Sequence, residues 1–261
     1  MAAFRRRILA WYEKNQRKLP WRETADPYRI LLSEVMLQQT QVERVVPKYR
    51  EFLRAFPTVQ ALAAADKLQL LRLWSGLGYN RRALLLQKAA QQIAERHQGK
   101  VPEDAASLMQ LPGIGPYIAH AVLIFAYNQD VATIDTNIRR ILIHEGLATE
   151  QSSQDELFAV ARKLVPKGKS RLWHNALMDY GAIILTARKT RIRPLTTQSR
   201  FAGSGRYYRG QIIRLLTAQK SASIAALAGR FGKERGFVEK IADSLVKDGL
   251  VVREKGKVRI R

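Results

Sequence analysis

Cysteine is absent from the 261 residues, which excludes disulfides and any metal or cluster held by thiolates. No run of 18 or more apolar residues occurs, so nothing in the chain reads as a membrane span. The opening stretch MAAFRRRILAWYEKNQRK has neither an apolar h-region nor a small-residue cleavage site, so no secretory signal is expected. Strand alternation is missing until the last dozen residues. Acidic residues are scarce: 22 Asp and Glu stand against 45 Lys and Arg, a formal net charge of +23. An excess that large implies a polyanionic partner, nucleic acid first, with a merely solvated basic surface as the alternative. The expected setting is inside a cell, cytoplasmic or otherwise intracellular. What is present suffices for a folded core, since 46% of residues are hydrophobic.

The stretch with most information runs over residues 111–137, LPGIGPYIAHAVLIFAYNQDVATIDTN. Gly113 and Gly115 are bracketed by Pro112 and Pro116. Pro112 ends the helix expected over 103–110, and Pro116 suits the first turn of the next. The glycines permit a tight reversal and leave no side chain between the backbone and an approaching group. Amides at the following helix start then face outward, as donors for a phosphate. The element reads as a helix-hairpin-helix. Its apolar second helix, 117–127, leads to a polar loop carrying Asp135 about 20 residues beyond the hairpin.

Amphipathic helices are expected over 4–14, 46–55, 58–64, 67–74, 79–96, 138–145, 155–165 and 172–186. A further helix over 30–42 has Glu34 embedded among apolar residues. Its carboxylate either points to solvent or sits in a pocket that raises its pKa. Trp21 is either a core plug or a group beside a ligand. Gly76 and Gly78 form a second tight approach, and Tyr79 is either a helix cap or a wedge. Asp135 in ATIDTN suits an ordinary N-cap of the next helix, which does not exclude a second role.

LPGIGPY followed by IDTN resembles the helix-hairpin-helix glycosylase superfamily, whose members excise bases from DNA. Residues 19–42, LPWRETADPYRILLSEVMLQQTQV, and 74–90, WSGLGYNRRALLLQKAA, are similar to its MutY branch, the adenine DNA glycosylases. The likeness covers about residues 8–190 through several separated motifs in the same order. It implies a mainly α fold of two helical subdomains with a cleft. It also implies a monomer that removes mispaired adenine, opposite guanine or 8-oxoguanine, from double-stranded DNA. Glu34 is implied as the acid that protonates adenine N7 and later guides water. Asp135 is implied as the carboxylate facing the cationic sugar, and Asn137 as a group orienting the sugar or its phosphate. Trp21, Arg22, Leu37 and Asn175 are implied at the base pocket. Asn175 stands where these proteins usually carry Gln or Glu. Gln39 and Tyr79 are implied as wedges, and Gly113 and Gly115 as backbone contacts to DNA. The endonuclease III branch carries a Lys where this chain has Tyr117. A phenol cannot form the Schiff base that precedes strand cleavage, so a monofunctional enzyme leaving an abasic site is expected. Mismatch thymine/uracil glycosylases of the superfamily also pair an acid with a hairpin Tyr, so that substrate stays open. So does a non-catalytic DNA-binding protein.

Two departures stand out. The family's four-cysteine iron–sulfur loop corresponds here to ILTARKTRIRPLTTQ, which has no cysteine, so neither cluster nor other metal site is expected. A monovalent cation on hairpin carbonyls near Leu111 and Gly113 remains an implication of the family alone. The second departure is the tail. Three helices over 207–217, 223–231 and 234–247, then alternation around Lys255-Gly256, read as a winged helix-turn-helix, either DNA-reading or a packing module. The expected domains are thus 1–195 (catalytic), a basic linker 196–205, and 206–261. From residue 180 to residue 233 there are eleven Lys or Arg and no acid. Arg188, Lys189, Arg191 and Arg193 are therefore expected to contact phosphates in place of the cluster loop. Neutralising all four should reduce the salt slope of DNA binding, by about 0.9 for each phosphate left without its cation. An unchanged slope contradicts the assignment.

Overall fold

The computed structural model describes residues 1–194 and 200–261. Part of the expected 196–205 linker lies outside the described residues. In chain order the elements begin with α1 (Ala2–Asn15), a 3-10 turn (Pro20–Arg22), α2 (Pro27–Leu37), α3 (Val42–Ala55), α4 (Val59–Ala63), α5 (Lys67–Trp74) and α6 (Arg81–Arg96). Then come α7 (Ala105–Met109), α8 (Pro116–Phe125), α9 (Thr136–His144), α10 (Gln154–Leu164), α11 (Ser170–Ile183) and α12 (Ala187–Thr190). The C-terminal part holds α13 (Gly205–Gln219), β1 (Ser221–Ser223), α14 (Ile224–Phe231), α15 (Arg235–Lys247), β2 (Val251–Glu254) and β3 (Lys257–Ile260). The fold is mainly α, as the apolar periodicity requires.

Two compact units interleave along the chain. One comprises Met1–Glu34, Val101–Gln110 and Ile114–Thr197; the other comprises Val35–Lys100, Leu111–Gly113 and Gln198–Arg261. In the first, α1 presents Phe4, Ile8 and Tyr12 at four-residue spacing to Ile138 and Ile141 of α9, Leu164 of α10 and Trp173 of α11. Phe4 meets the Trp173 ring edge-on at 5.8 Å. Asp179 of α11 is fully buried, yet it is saturated with donors. Arg22 grips it bidentately at 2.7 and 2.9 Å, while the Arg17 backbone N–H and Nε donate at 3.0 and 2.5 Å. Burial alone would raise this carboxyl. The Arg22 and Arg17 contacts outweigh it and hold Asp179 below its usual value.

The second unit has its own aromatic centre. Phe52 packs edge-on against Phe56 at 4.9 Å and Trp74 at 6.0 Å. Here α13 packs on α5, and Arg72 donates to the Thr217 carbonyl at 3.0 Å. The strands form an antiparallel sheet in the order β1-β3-β2, with Val258 opposite both Ala222 and Arg253.

Two expectations from the sequence need correction. The helix expected over 30–42 ends at Leu37, turns at Gln39 with φ of +52°, and restarts at Val42. No glycine or proline marks that break. The hairpin expected at the end of the chain gains a third strand, because polar Ser221–Ser223 pairs with β3. A three-residue polar strand gives no alternation signal.

Replacing Asp179 with Asn leaves two half-buried guanidiniums without their buried anion, an expected loss of about 3 kcal/mol by urea denaturation. Since the folded carboxyl titrates below its unfolded value, this stability is present above that unfolded value. It is lost as pH falls through the folded one. The variant should therefore lose stability less steeply than wild type on acidification.

Candidate active site

The hairpin glycines differ in conformation. Gly113 adopts φ of +80°, and a Cβ there would lie 2.9 Å from the Leu85 Cβ, so glycine is required twice over. Gly115 is extended instead, at φ −92° and ψ 178°, as the N-cap of α8. A Cβ on it would meet nothing within 4 Å, so its backbone is open to approach. Pro116 takes the first helical position, and Tyr117 follows within the first turn of α8.

Glu34 lies on α2, where residues 30–36 are buried on every face, and is 6% exposed. Its carboxyl is pushed up to about 7, chiefly by burial and then by the negative charge of Asp135. A hydrogen bond from the Tyr117 phenol and the charge of Arg22 pull the other way without prevailing. Tyr117 in turn is pushed well above the ordinary phenol value by burial and the two carboxyls, so it stays protonated and donates. At neutral pH, Glu34 is thus a group able to give or take a proton, beside a second carboxyl and an un-ionised phenol.

Asp135 caps α9, accepting from the Ile138 N–H at 2.7 Å and from Asn137 Nδ2 at 2.8 Å. Burial raises its pKa, opposed by those two bonds and by the Arg140 charge. Asn137 Oδ1 accepts from Arg140 at 2.5 Å, so Arg140, Asn137 and Asp135 form a chain of hydrogen bonds. The loop leading to Asp135 is fixed by α11. Ser170 Oγ donates to the Val131 carbonyl at 3.1 Å, and His174 Nε2 accepts from the Thr133 N–H at 3.3 Å. His174 Nδ1 donates to the Ser170 carbonyl at 2.8 Å, which requires the neutral tautomer. Burial favours that form, pushing His174 down to about 4. Gly181 lets α11 approach closely, since a Cβ there would lie 2.7 Å from the Asn137 Cβ.

The expected residues therefore divide. Glu34, Tyr117, Asp135 and Asn137 come together in the first unit, with Arg22 near enough to act on Glu34 although its donors are bound to Asp179. Trp21 is buried in the 3-10 turn, and Asn175 is half-buried on α11. In the second unit Leu37 ends α2 half-buried. Gln39 and Tyr79 are exposed there in left-handed conformation, with φ of +52° and +46°. Arg188, Lys189, Arg191 and Arg193 are exposed on α12 and just beyond it. Asp179, Arg140, His174 and Arg82 are supports that sequence reasoning misses. Arg82 ties the two left-handed turns together by donating to the carbonyls of Val35, Gln38, Leu77 and Gly78 at 2.6–3.2 Å. Burial lowers its pKa to about 10, which leaves it charged near neutrality.

The segment after α11 cannot hold an iron–sulfur cluster, having no thiolates. Two buried arginines of α9 secure it instead. Arg140 donates to the carbonyls of Leu185 and Gly181, and Arg139 joins the Glu150 and Arg193 carbonyls at 3.1 and 3.0 Å. Among the described residues no group of three His, Asp or Glu could hold a metal ion, and no helix is long and apolar enough to cross a membrane.

A hairpin that opens a helix, and a buried Glu34 coupled to Asp135, mark a class of helix-hairpin-helix proteins. Comparison with known proteins makes it specific. Residues 32–167 match the family described as HhH-GPD superfamily base excision DNA repair protein. The adenine DNA glycosylase of Mycolicibacterium smegmatis is 37% identical over 266 residues, covering 94% of this chain and 91% of that protein. The human adenine DNA glycosylase is 36% identical over 211 residues, covering 76% of this chain and 38% of that protein. A thermostable thymine-DNA glycosylase superposes with a TM-score of 0.67 at 29% identity, over 72% of this chain and 88% of that one. An endonuclease III–DNA complex shares the fold at a TM-score of 0.64 and 21% identity, over 70% of this chain and 85% of that one. The chain belongs to the HhH-GPD superfamily of base excision DNA repair proteins.

The Glu34 environment makes a stability prediction of its own. Its folded pKa lies above the unfolded value, so its contribution is full below the unfolded value and is lost as pH rises through about 7. Glu34→Gln should match wild type near pH 4 and gain about 3 kcal/mol at pH 9 in urea denaturation. Equal stability at both pH values contradicts the burial of an ionising group here.

Proposed function

We propose that the chain is a monofunctional DNA glycosylase that hydrolyses the N-glycosidic bond of mispaired adenine in double-stranded DNA. The observation that carries this reading is the carboxyl pair. Glu34 is buried, hydrogen-bonded to Tyr117 and held near 7 beside Asp135. In the proposed sequence, protonated Glu34 gives its proton to a ring nitrogen of the base. The C1′–N9 bond then breaks and its electron pair leaves with adenine. Ionised Asp135 stabilises the oxocarbenium-like sugar, with Asn137 orienting the sugar or its phosphate. Water adds to C1′ as the Glu34 carboxylate takes its proton, which restores the acid and leaves an abasic site. Trp21 and Asn175 belong to the base pocket in this reading. Arg22 acts beside them through its charge while anchored to Asp179. Gln39 and Tyr79 fill the stack left by the extruded nucleotide, and Gly113, Gly115 and the 188–193 arginines and lysine contact phosphates. The hairpin carbonyls near Leu111 and Gly113 are the place for a monovalent cation, should one bind. Action as a monomer, inside the cell and with DNA, belongs to the same proposal.

The second reading is a mismatch thymine glycosylase, favoured by the 29% identity to a thermostable thymine-DNA glycosylase. A pure DNA-binding role gains nothing from a buried carboxyl destabilised by a second one beside it.

Incubating the protein with A:G, A:8-oxoguanine, T:G and U:G duplexes, followed by alkali, separates the readings by which strand breaks. Breakage at adenine is expected, reduced about 10²–10⁴-fold by Glu34→Gln. Breakage only at thymine or uracil, or none, overturns the proposal. The rate should rise with pH as Asp135 ionises and decline above about 7 as Glu34 loses its proton. Borohydride should trap no covalent adduct, because Tyr117 offers no amine.

A further inference from the structure

Within the second unit, the C-terminal segment reaches Tyr79 through α13. Tyr79 holds a left-handed backbone, φ +46°, which a bulky side chain adopts only under strain. Its ring remains 40% exposed, yet it is gripped from two directions. The Arg82 guanidinium lies 5.6 Å from the ring centroid and the Arg206 guanidinium 5.9 Å. Arg206 also donates to the Tyr79 phenol oxygen at 2.8 Å. Arg82 is built into the turn through its carbonyl contacts, whereas Arg206 comes from the first turn of α13, 127 residues further along. Both line a cavity of about 1100 Å³ that Gln39, Arg44 and Arg214 also border. Arg44 and Arg214 are exposed.

The other faces of this segment are less suited to a polyanion. On α15, Glu239 and Asp243 lie at 3.1 and 3.3 Å from Arg253 of β2, and Glu239 also meets Arg235. The helix that a winged module would place in the major groove is thus lined with carboxylates and their own counter-ions. By contrast, α13 turns Arg206 and Arg214 to the cavity beside Tyr79, while Asp248, which also borders it, is paired with Arg209.

We propose that Arg206 is a positioning residue for Tyr79: its stacking and hydrogen bond fix the ring in the orientation in which it enters the DNA stack, so the C-terminal segment assists base extrusion through α13. This rests on the glycosylase reading and on Tyr79 as the wedge. Arg206 touches no reacting atom. Its effect belongs to the unstacking step and not to bond cleavage.

The test uses the full chain and a duplex with 2-aminopurine at the target position, whose fluorescence rises on unstacking. Excision of adenine from A:8-oxoguanine is followed in parallel. Arg206→Ala should reduce the unstacked fraction about tenfold. Tyr79→Phe, which keeps the ring but loses the acceptor, should have a smaller effect. In the double variant the two losses should not multiply, since the hydrogen bond lost in Tyr79→Phe is already absent in Arg206→Ala. Arg206→Lys keeps the charge without the planar stack and should recover only part of the signal. Full recovery by Lys, multiplying effects, or no change in Arg206→Ala would each overturn the proposal. If wild type excises no adenine, the glycosylase reading fails. If it excises adenine and Arg206→Ala unstacks normally, only the role of Arg206 fails.

Discussion

Two neighbouring carboxyl groups, one of them buried, cannot both ionise cheaply, and the architecture of the first unit follows from that constraint. Water would normally relieve it, but Glu34 is almost fully covered on α2. The remaining remedies are a proton on one partner and hydrogen bonds on the other. Glu34 takes the first course, assisted by a phenol that donates to it. Asp135 takes the second, with the α9 amide of Ile138, the Asn137 amide and the Arg140 charge all favouring its anion. The asymmetry is therefore a property of the surroundings, because the two side chains themselves differ by one methylene.

Holding that asymmetry requires the supports to be rigid. Ser170 and His174 of α11 fix the loop before Asp135, and Gly181 allows α11 to lie against Asn137. Arg140 then extends the network to the carbonyls of Gly181 and Leu185, with Arg139 reaching as far as Arg193. The segment after α11 is secured from the inside, by buried guanidiniums on backbone carbonyls. A guanidinium is suited to this, since its five donors in one plane can satisfy several carbonyls at once.

Much of this is legible in the residues alone. Gly113, Pro116 and the ATIDTN cap report local backbone chemistry, and local chemistry is written in neighbouring residues. Glu34 is ambiguous for a physical reason: residues 30–36 are buried on all sides of α2, so periodicity carries no information about which way a side chain points. Only resemblance to the MutY branch directs attention to it. Arg139 and Arg140 give no local sign of burial, because the carbonyls of Gly181, Leu185 and Arg193 that bind them lie more than 40 residues further along the chain. Asp179 is hidden likewise, its partners being 157 and 162 residues away. The turn at Gln39 carries no breaker, since Arg82 stabilises it from a distance.

The central claim is that Glu34 and Asp135 ionise as a coupled pair within one buried site. Carbon-13 NMR titration of the Glu34 carboxyl, in wild type and in Asp135→Asn, tests it directly. Wild type should titrate near 7, and removing the neighbouring charge should bring the value down while burial keeps it above an ordinary glutamate. A Glu34 that titrates at its ordinary value in wild type, or ignores the loss of Asp135, would contradict the account.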